Sequence, residues 1–277
     1  MAELVGGFVL PHEPGVFASV EPDPTGGRER VRRAFETVRD RIGALGATSV
    51  VIVGADHYVL FGPTCLPSYL IAVGDVSGPY ERFPGLGQGP IPNDVRLAEH
   101  LFRSGREQGF DWAVAKSLTV DHSIGGPARL CALPNPSVRG VVPIYLASGV
   151  EPLLPLRRAF ELGRMIGRAI ADFPEPERVV VIGSGGISHW VGLPEMGRVE
   201  PAFDRMVLDC VTRGTPEPLL SLTDAQIVAQ AGNGALEIRS FLCAMGALGC
   251  AKGRVIDYVH GPQWVTGLGF AEIEAGT

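Results

Sequence analysis

An α/β fold, with a mainly parallel or mixed central sheet flanked by helices and an active site at the strand carboxyl ends, is predicted by three observations. Short β-branched apolar runs of strand length recur along the chain, as at Val50, Val51, Ile52 and Val53. Between several of them lie stretches with helical apolar spacing. Four of the six histidines, His12, His57, His122 and His189, stand just past the end of a predicted strand. In open α/β sheets ligands bind in the crevice beyond the strand carboxyl ends, so these histidines point to a site.

Residues 5–10 read as the first strand and 11–15 as its loop, where Pro11 and Pro14 exclude a helix. Residues 21–28 form a polar loop. Val31, Phe35, Val38, Ile42 and Leu45 then share one face of a helix over 29–45, with Gly46 as its stop. The strand 50–53 follows. This β-α-β order predicts a parallel pair with a right-handed crossover, placing His12 and His57 after adjacent strands.

An apolar run at 69–73 precedes 74–92, whose glycines and prolines predict a long irregular loop, a type that is often functional. Asn93 is the expected cap of a helix through 108. A strand over 113–120 leads to Asp121 and His122, and 125–127 open a short helix toward Cys131. A strand over 138–146, a long amphipathic helix over 152–173 and a strand over 178–182 come next. Helices are predicted over 201–213, 224–230 and 234–249, the last capped by Gly232 or Asn233 and holding Glu237 in its first turn. The tail, 254–260 and 266–273, has strand character. No linker divides the chain, so one catalytic domain over 1–277 is expected.

The net charge of −6 argues against a phosphate-binding surface and hence against nucleic acid as partner. No apolar run reaches the length of a membrane span. Met1-Ala2-Glu3-Leu4 shows no basic region of a secretion signal. The five cysteines form no C-x-x-C pair and fit reduced thiols, which makes the cytoplasm the expected location.

Gly183-Ser184-Gly185-Gly186 after a strand invites a nucleotide reading, but Ser188 stands where G-x-G-x-x-G needs glycine. A serine hydrolase using Ser184 or Ser188 lacks the G-x-S-x-G elbow. A metal site explains more of the histidines. His12 and His57 with one carboxylate make the facial set of non-haem Fe(II) oxygenases, although zinc accepts the same donors. Glu13, Asp56, Asp121 and Glu237 are the candidate carboxylates. His100, within a helix, and His260, near the tail, read as structural.

The ordered set of His12, Ala55-Asp56-His57, Val120-Asp121-His122, Gly183-Ser184-Gly185-Gly186-Ile187-Ser188-His189 and Leu236-Glu237-Ile238 resembles the class III extradiol ring-cleaving dioxygenases. That family includes the catalytic subunit of protocatechuate 4,5-dioxygenase and 2,3-dihydroxyphenylpropionate dioxygenase. The resemblance implies Fe(II) held by His12, His57 and Glu237, with His189 as base and His122 as acid or hydrogen-bond donor toward a catechol and O2. Asp56 and Asp121 would orient imidazoles, Asp56 serving equally well as a loop cap. A homo-oligomer is expected. The protocatechuate branch adds a small helical partner subunit that no part of this chain resembles, so a lid would come from the 74–92 loop, another protomer or a separate protein.

The chain departs from the family pattern at Ser123, where glycine is usual, and at Ala55. Residues 261–267 look more like the dihydroxyphenylpropionate branch. Trp264 there either narrows the pocket against a ring carboxylate or packs in the core. The rival readings are a zinc-dependent hydrolase on the same scaffold and a non-enzymatic binding protein of the same fold.

Overall fold

The computed structural model describes residues 1–277 except 19–24, 63, 150, 262 and 277, and only the backbone of Ala18. In chain order come β1 (Glu3–Leu10), α1 (Gly15–Ala18), α2 (Gly27–Ala44), β2 (Ser49–Ala55), β3 (Tyr69–Ser77) and β4 (Pro90–Ile91). Then follow α3 (Val95–Glu107), β5 (Ala113–Thr119), α4 (His122–Pro127) running into a π-helical turn (Ala128–Ala132), and β6 (Gly140–Leu146). Next are α5 (Leu156–Ala171), β7 (Arg178–Ser184), α6 (Pro201–Arg213), α7 (Glu217–Leu220) and α8 (Asp224–Ala231). A 3-10 turn (Gly234–Glu237) leads into α9 (Ile238–Ala247), and β8 (Gly253–Val259) and β9 (Leu268–Ile273) close the chain.

The strands form one mixed sheet in the order β4-β3-β6-β2-β7-β1-β9-β8, with β5 paired to β3. The centre, β6-β2-β7-β1, is parallel. β3 and β9 flank it antiparallel. The expected β1–β2 pair does not form, because β7 lies between them: Ile182 is level with Phe8 on one side and Ile52 on the other. The β7 run Val179, Val180, Val181 and Ile182 is apolar on both faces, which suits a strand buried from both sides. His12 and His57 therefore flank the end of β7, and His189 follows from it.

Side-chain alternation splits the strands between two cores. Phe8, Val50, Ile52, Val180 and Ile182 pack against α2 and the π-helical turn. Val9, Val51, Val53, Val179 and Val181 face α3, α5 and α9. On that second face α5 and α9 touch backbone to backbone: a Cβ on Gly163 would lie 2.0 Å from the Cys243 carbonyl oxygen.

Several boundaries differ from the sequence reading for identifiable reasons. The loop expected over 74–92 is strand at its two ends, since β3 runs to Ser77 and pairs with β4. Asp94, not Asn93, caps α3, while the Asn93 amide donates to the Ala72 and Gly74 carbonyls. α4 starts at His122 because Asp121 accepts the Ser123 N–H as its cap. Asn233 makes no cap bond, as its side chain spans the Val191 N–H and carbonyl instead. Residues 21–24 of the expected polar loop lie outside the described residues, and α2 begins at Gly27. No helix among the described residues is long and apolar enough to cross a membrane.

Candidate active site

Level strand ends deliver the site. Leu10 of β1 pairs with Ser184 of β7, and Val53 of β2 pairs with Gly183, so the loops after β1, β2 and β7 open on one edge. All five residues picked from the sequence meet there. His12, His57 and His122 each bring a ligand atom within 4.8 Å of the others. The carboxylate of Glu237, at the junction of the 3-10 turn and α9, sits 3.1 Å from His57 Nε2 through Oε1 and 3.4 Å from His12 Nε2 through Oε2. His189 is tied into the same pocket wall.

The other nitrogen of each imidazole is fixed from behind. The Ser184 hydroxyl donates to the Ser123 carbonyl at 2.6 Å, so its oxygen accepts from His12 Nδ1 at 2.9 Å. His57 Nδ1 donates to Asp121 Oδ2 at 2.8 Å. Asp121 is fully buried, and Tyr145 Oη and the Ser123 backbone N–H donate to its other oxygen. Burial alone would raise the Asp121 pKa, but His57, His122 and Ser123 hold it well below the ordinary carboxylate range. With both Nδ1 atoms carrying protons, both Nε2 lone pairs face the Glu237 carboxylate.

Two lone pairs against a carboxylate is an arrangement that calls for a cation between them. Burial would lower the His57 pKa, yet Asp121 and Glu237 raise it well above the usual histidine value. Burial would raise the Glu237 pKa, but His12 and His57 keep it well below the usual value. His12 is lowered, chiefly by burial. A divalent ion placed there would find two imidazole Nε2 atoms and one carboxylate, so the donor set fits a metal. The backbone N–H of Gly186 donates to Glu237 Oε2 at 2.7 Å, which gives the glycine-rich turn a task no nucleotide reading supplies.

His189 is seated between two glycines. A Cβ on Gly234 would lie 2.1 Å from its Nε2, and one on Gly186 2.7 Å from its Cε1. Its Nδ1 lies 3.1 Å from the Ile187 carbonyl and 3.2 Å from Thr266 Oγ1, so Nδ1 carries the proton and Nε2 is left as the basic atom. His122 stacks on His57 with ring centroids 4.4 Å apart and an interplanar angle of 29°. Its Nδ1 is 2.7 Å from Glu81 Oε1.

Glu81 is a site residue that sequence reasoning missed. It stands in the irregular stretch between β3 and β4, whose ends Arg129 clamps by donating to the Gly78, Gly89 and Pro90 carbonyls. The same stretch sets Phe83 edge-on to His122 at 5.9 Å. Asp56 does not orient an imidazole: its oxygens accept from the Leu60 and Phe61 N–H groups, a loop cap. Trp264 is buried and lines the neighbouring cavity with Arg28 over its ring, rather than the histidine pocket. His100 bonds the Ala169 carbonyl and lies outside the cluster, as does His260, which tilts on Tyr258. Ser184 is fully buried with its hydroxyl proton committed, and the Ser188 hydroxyl accepts from the Glu200 N–H, so neither is placed as a nucleophile.

Comparison with known proteins adds a second line. A family model described as the catalytic LigB subunit of aromatic ring-opening dioxygenase matches residues 6–269. The 2,3-dihydroxyphenylpropionate/2,3-dihydroxicinnamic acid 1,2-dioxygenase of Rhodococcus jostii (strain RHA1) is 30% identical over 294 residues, covering 87% of this chain and 90% of the relative. The protein of the same name from Burkholderia vietnamiensis (strain G4 / LMG 22486) is 30% identical over 298 residues, covering 87% and 88%. Among solved structures, an uncharacterized protein of Escherichia coli K12 superposes with a TM-score of 0.60 over 97% of this chain and 99% of that one at 15% identity, a likeness of fold.

Proposed function

The chain belongs to the class III extradiol family of aromatic ring-opening dioxygenases, and from that premise we propose an Fe(II)-dependent enzyme that inserts both atoms of O2 into a substituted catechol and opens its ring. The observation that carries the reading is the Glu237 carboxylate facing two Nε2 lone pairs whose rings are pinned by Ser184 and Asp121.

His12, His57 and Glu237 would hold the metal, which when bound supplies a common point for catechol and O2 and the electron path between them. Glu237 rather than His122 completes the set, because it touches both Nε2 atoms and brings the negative charge that a divalent ion favours. His189 Nε2 takes the proton of a catechol hydroxyl, a task suited to a neutral imidazole. His122, which lines the same pocket, gives a hydrogen bond or proton to the reacting oxygens. Glu81 holds the His122 ring in place as Asp121 holds His57. The pocket of about 180 Å³ around these groups limits water while the ring is bound.

In this reading residues 1–277 act as one catalytic domain in the cytoplasm, as a homo-oligomer, with no nucleic acid or membrane partner. Free thiols at Cys65, Cys131, Cys210, Cys243 and Cys250 support a reducing compartment. The test is isotopic. Turnover of a catechol under ¹⁸O2 by Fe(II)-loaded protein should place both labelled atoms in one ring-opened product. Product without label, or with an intact ring, would remove the proposal.

A further inference from the structure

The histidine pocket is unusual in what its wall lacks. Apart from the imidazoles and Glu237, the described residues around it include Glu13, Pro14, Val191, Val265 and Thr266, and among them is no lysine or arginine. Three arginines nearby are engaged elsewhere, and a fourth, Arg82 between Glu81 and Phe83, is exposed. Arg28 lies over the Trp264 ring at 5.3 Å and donates to the Gly15 carbonyl at 3.4 Å, lining the neighbouring cavity. Arg198 lies over Trp190 and pairs with Glu200. Arg129 is bound to the three carbonyls that clamp the Glu81 stretch. Residues 19–24, outside the described set, read Ser-Val-Glu-Pro-Asp-Pro and contain no cation.

What the wall does hold is a carboxyl. Glu13 is only 7% exposed; its carboxyl lies against the Gly15 and Val16 backbone, and its Oε2 has no hydrogen-bond partner among the described residues. A buried acceptor in that state is open to a donor from a ligand. A carboxylate taken from water into such a pocket would lose its hydration with no cation to replace it, and would lie near Glu13 and Glu81. Both relatives compared above are named for rings that bear a carboxylate side chain.

We infer that the catechol accepted here carries an uncharged or cationic substituent with a hydrogen-bond donor for Glu13, and that a substituent carboxylate is excluded. The inference rests on the dioxygenase reading for the ring itself. It departs from the substrates for which the relatives are named.

Matched ligands test it. One pair is 3-(2,3-dihydroxyphenyl)propionate and its primary amide, and the other is 3,4-dihydroxyphenylacetate and dopamine. Binding to metal-loaded protein is read anaerobically by calorimetry, and kcat/KM is read with O2. The amide and dopamine should bind at least about tenfold tighter than the acids, a difference carried mainly in KM. Glu13→Gln should shrink that discrimination to about threefold or less. Acids that bind as tightly as their partners would overturn the inference, as would an Arg28→Gln variant that weakens the acids alone. Discrimination in binding without oxygen consumption would defeat the dioxygenase reading and leave this inference standing.

Discussion

Ser184 and His12 share a hydrogen bond whose direction is fixed. The serine gives its one proton to the Ser123 carbonyl, so the 2.9 Å contact must be donated by His12 Nδ1. The imidazole is thereby presented in a single tautomer with Nε2 toward Glu237. Ser184→Ala removes the acceptor and lets the ring rotate. Fe(II) affinity should fall by about tenfold or more with the fold intact, read by anaerobic metal titration. Unchanged affinity would mean that packing alone orients His12.

Glu81 acts through His122, so its variants separate orientation from charge. Glu81→Gln keeps an acceptor for His122 Nδ1 and should retain kcat within about threefold, whereas Glu81→Ala should lower kcat by about tenfold or more. KM and bound metal should change little in either. Equal loss in both variants would show that the carboxylate's charge, not its acceptor, matters.

The α5–α9 contact sets a limit on side-chain size. With the Cys243 carbonyl 2.0 Å from a Cβ at Gly163, alanine there forces two helices apart. Gly163→Ala should destabilise by about 3 kcal/mol and lower Tm by roughly 5–10 °C. A melting curve matching that of the unsubstituted protein would show that the helices separate freely.

Glu272 of β9 links α2 to β8, bonding Arg41 at 2.7 Å and Arg254 at 2.8 Å. Burial alone would raise its pKa, but the two guanidiniums bring it below the ordinary glutamate value. For a carboxylate depressed in the folded state, the stabilisation is fully present above the unfolded pKa and fades as pH falls through the folded one. Glu272→Gln should therefore lower Tm at neutral pH, and the gap should narrow below about pH 4.5. A gap independent of pH would deny the ion pairs their role.

Much of the site was legible because it sits where short apolar runs end. His12, His57, His122 and His189 all follow strands or capped turns, and the sheet brings strand ends level. The resemblance left open which imidazole Asp121 would face; the structure sets it against His57, and Glu237 lies beside His12 and His57. The β1-β7-β2 order was not legible, because adjacency in sequence predicts pairing while burial on both faces decides it. Glu81 lies in a Gly- and Pro-rich stretch with no periodicity, and long-range bonds such as the Arg129 clamp and the Tyr80 N–H to the Val120 carbonyl bring it to His122. Asp56 and Asp121 each precede a histidine, so sequence alone could not assign the loop cap to one and the His57 contact to the other.

The central claim is that His12, His57 and Glu237 hold Fe(II) for ring opening with O2. Oxygen uptake by anaerobically Fe(II)-loaded protein, compared with Glu237→Gln across a panel of catechols, tests it most directly. The expected result is one O2 consumed per ring, a yellow ring-opened product, and loss of both iron and uptake in the variant. Absence of uptake with every catechol alongside tightly bound zinc, or full iron and activity in Glu237→Gln, would contradict it.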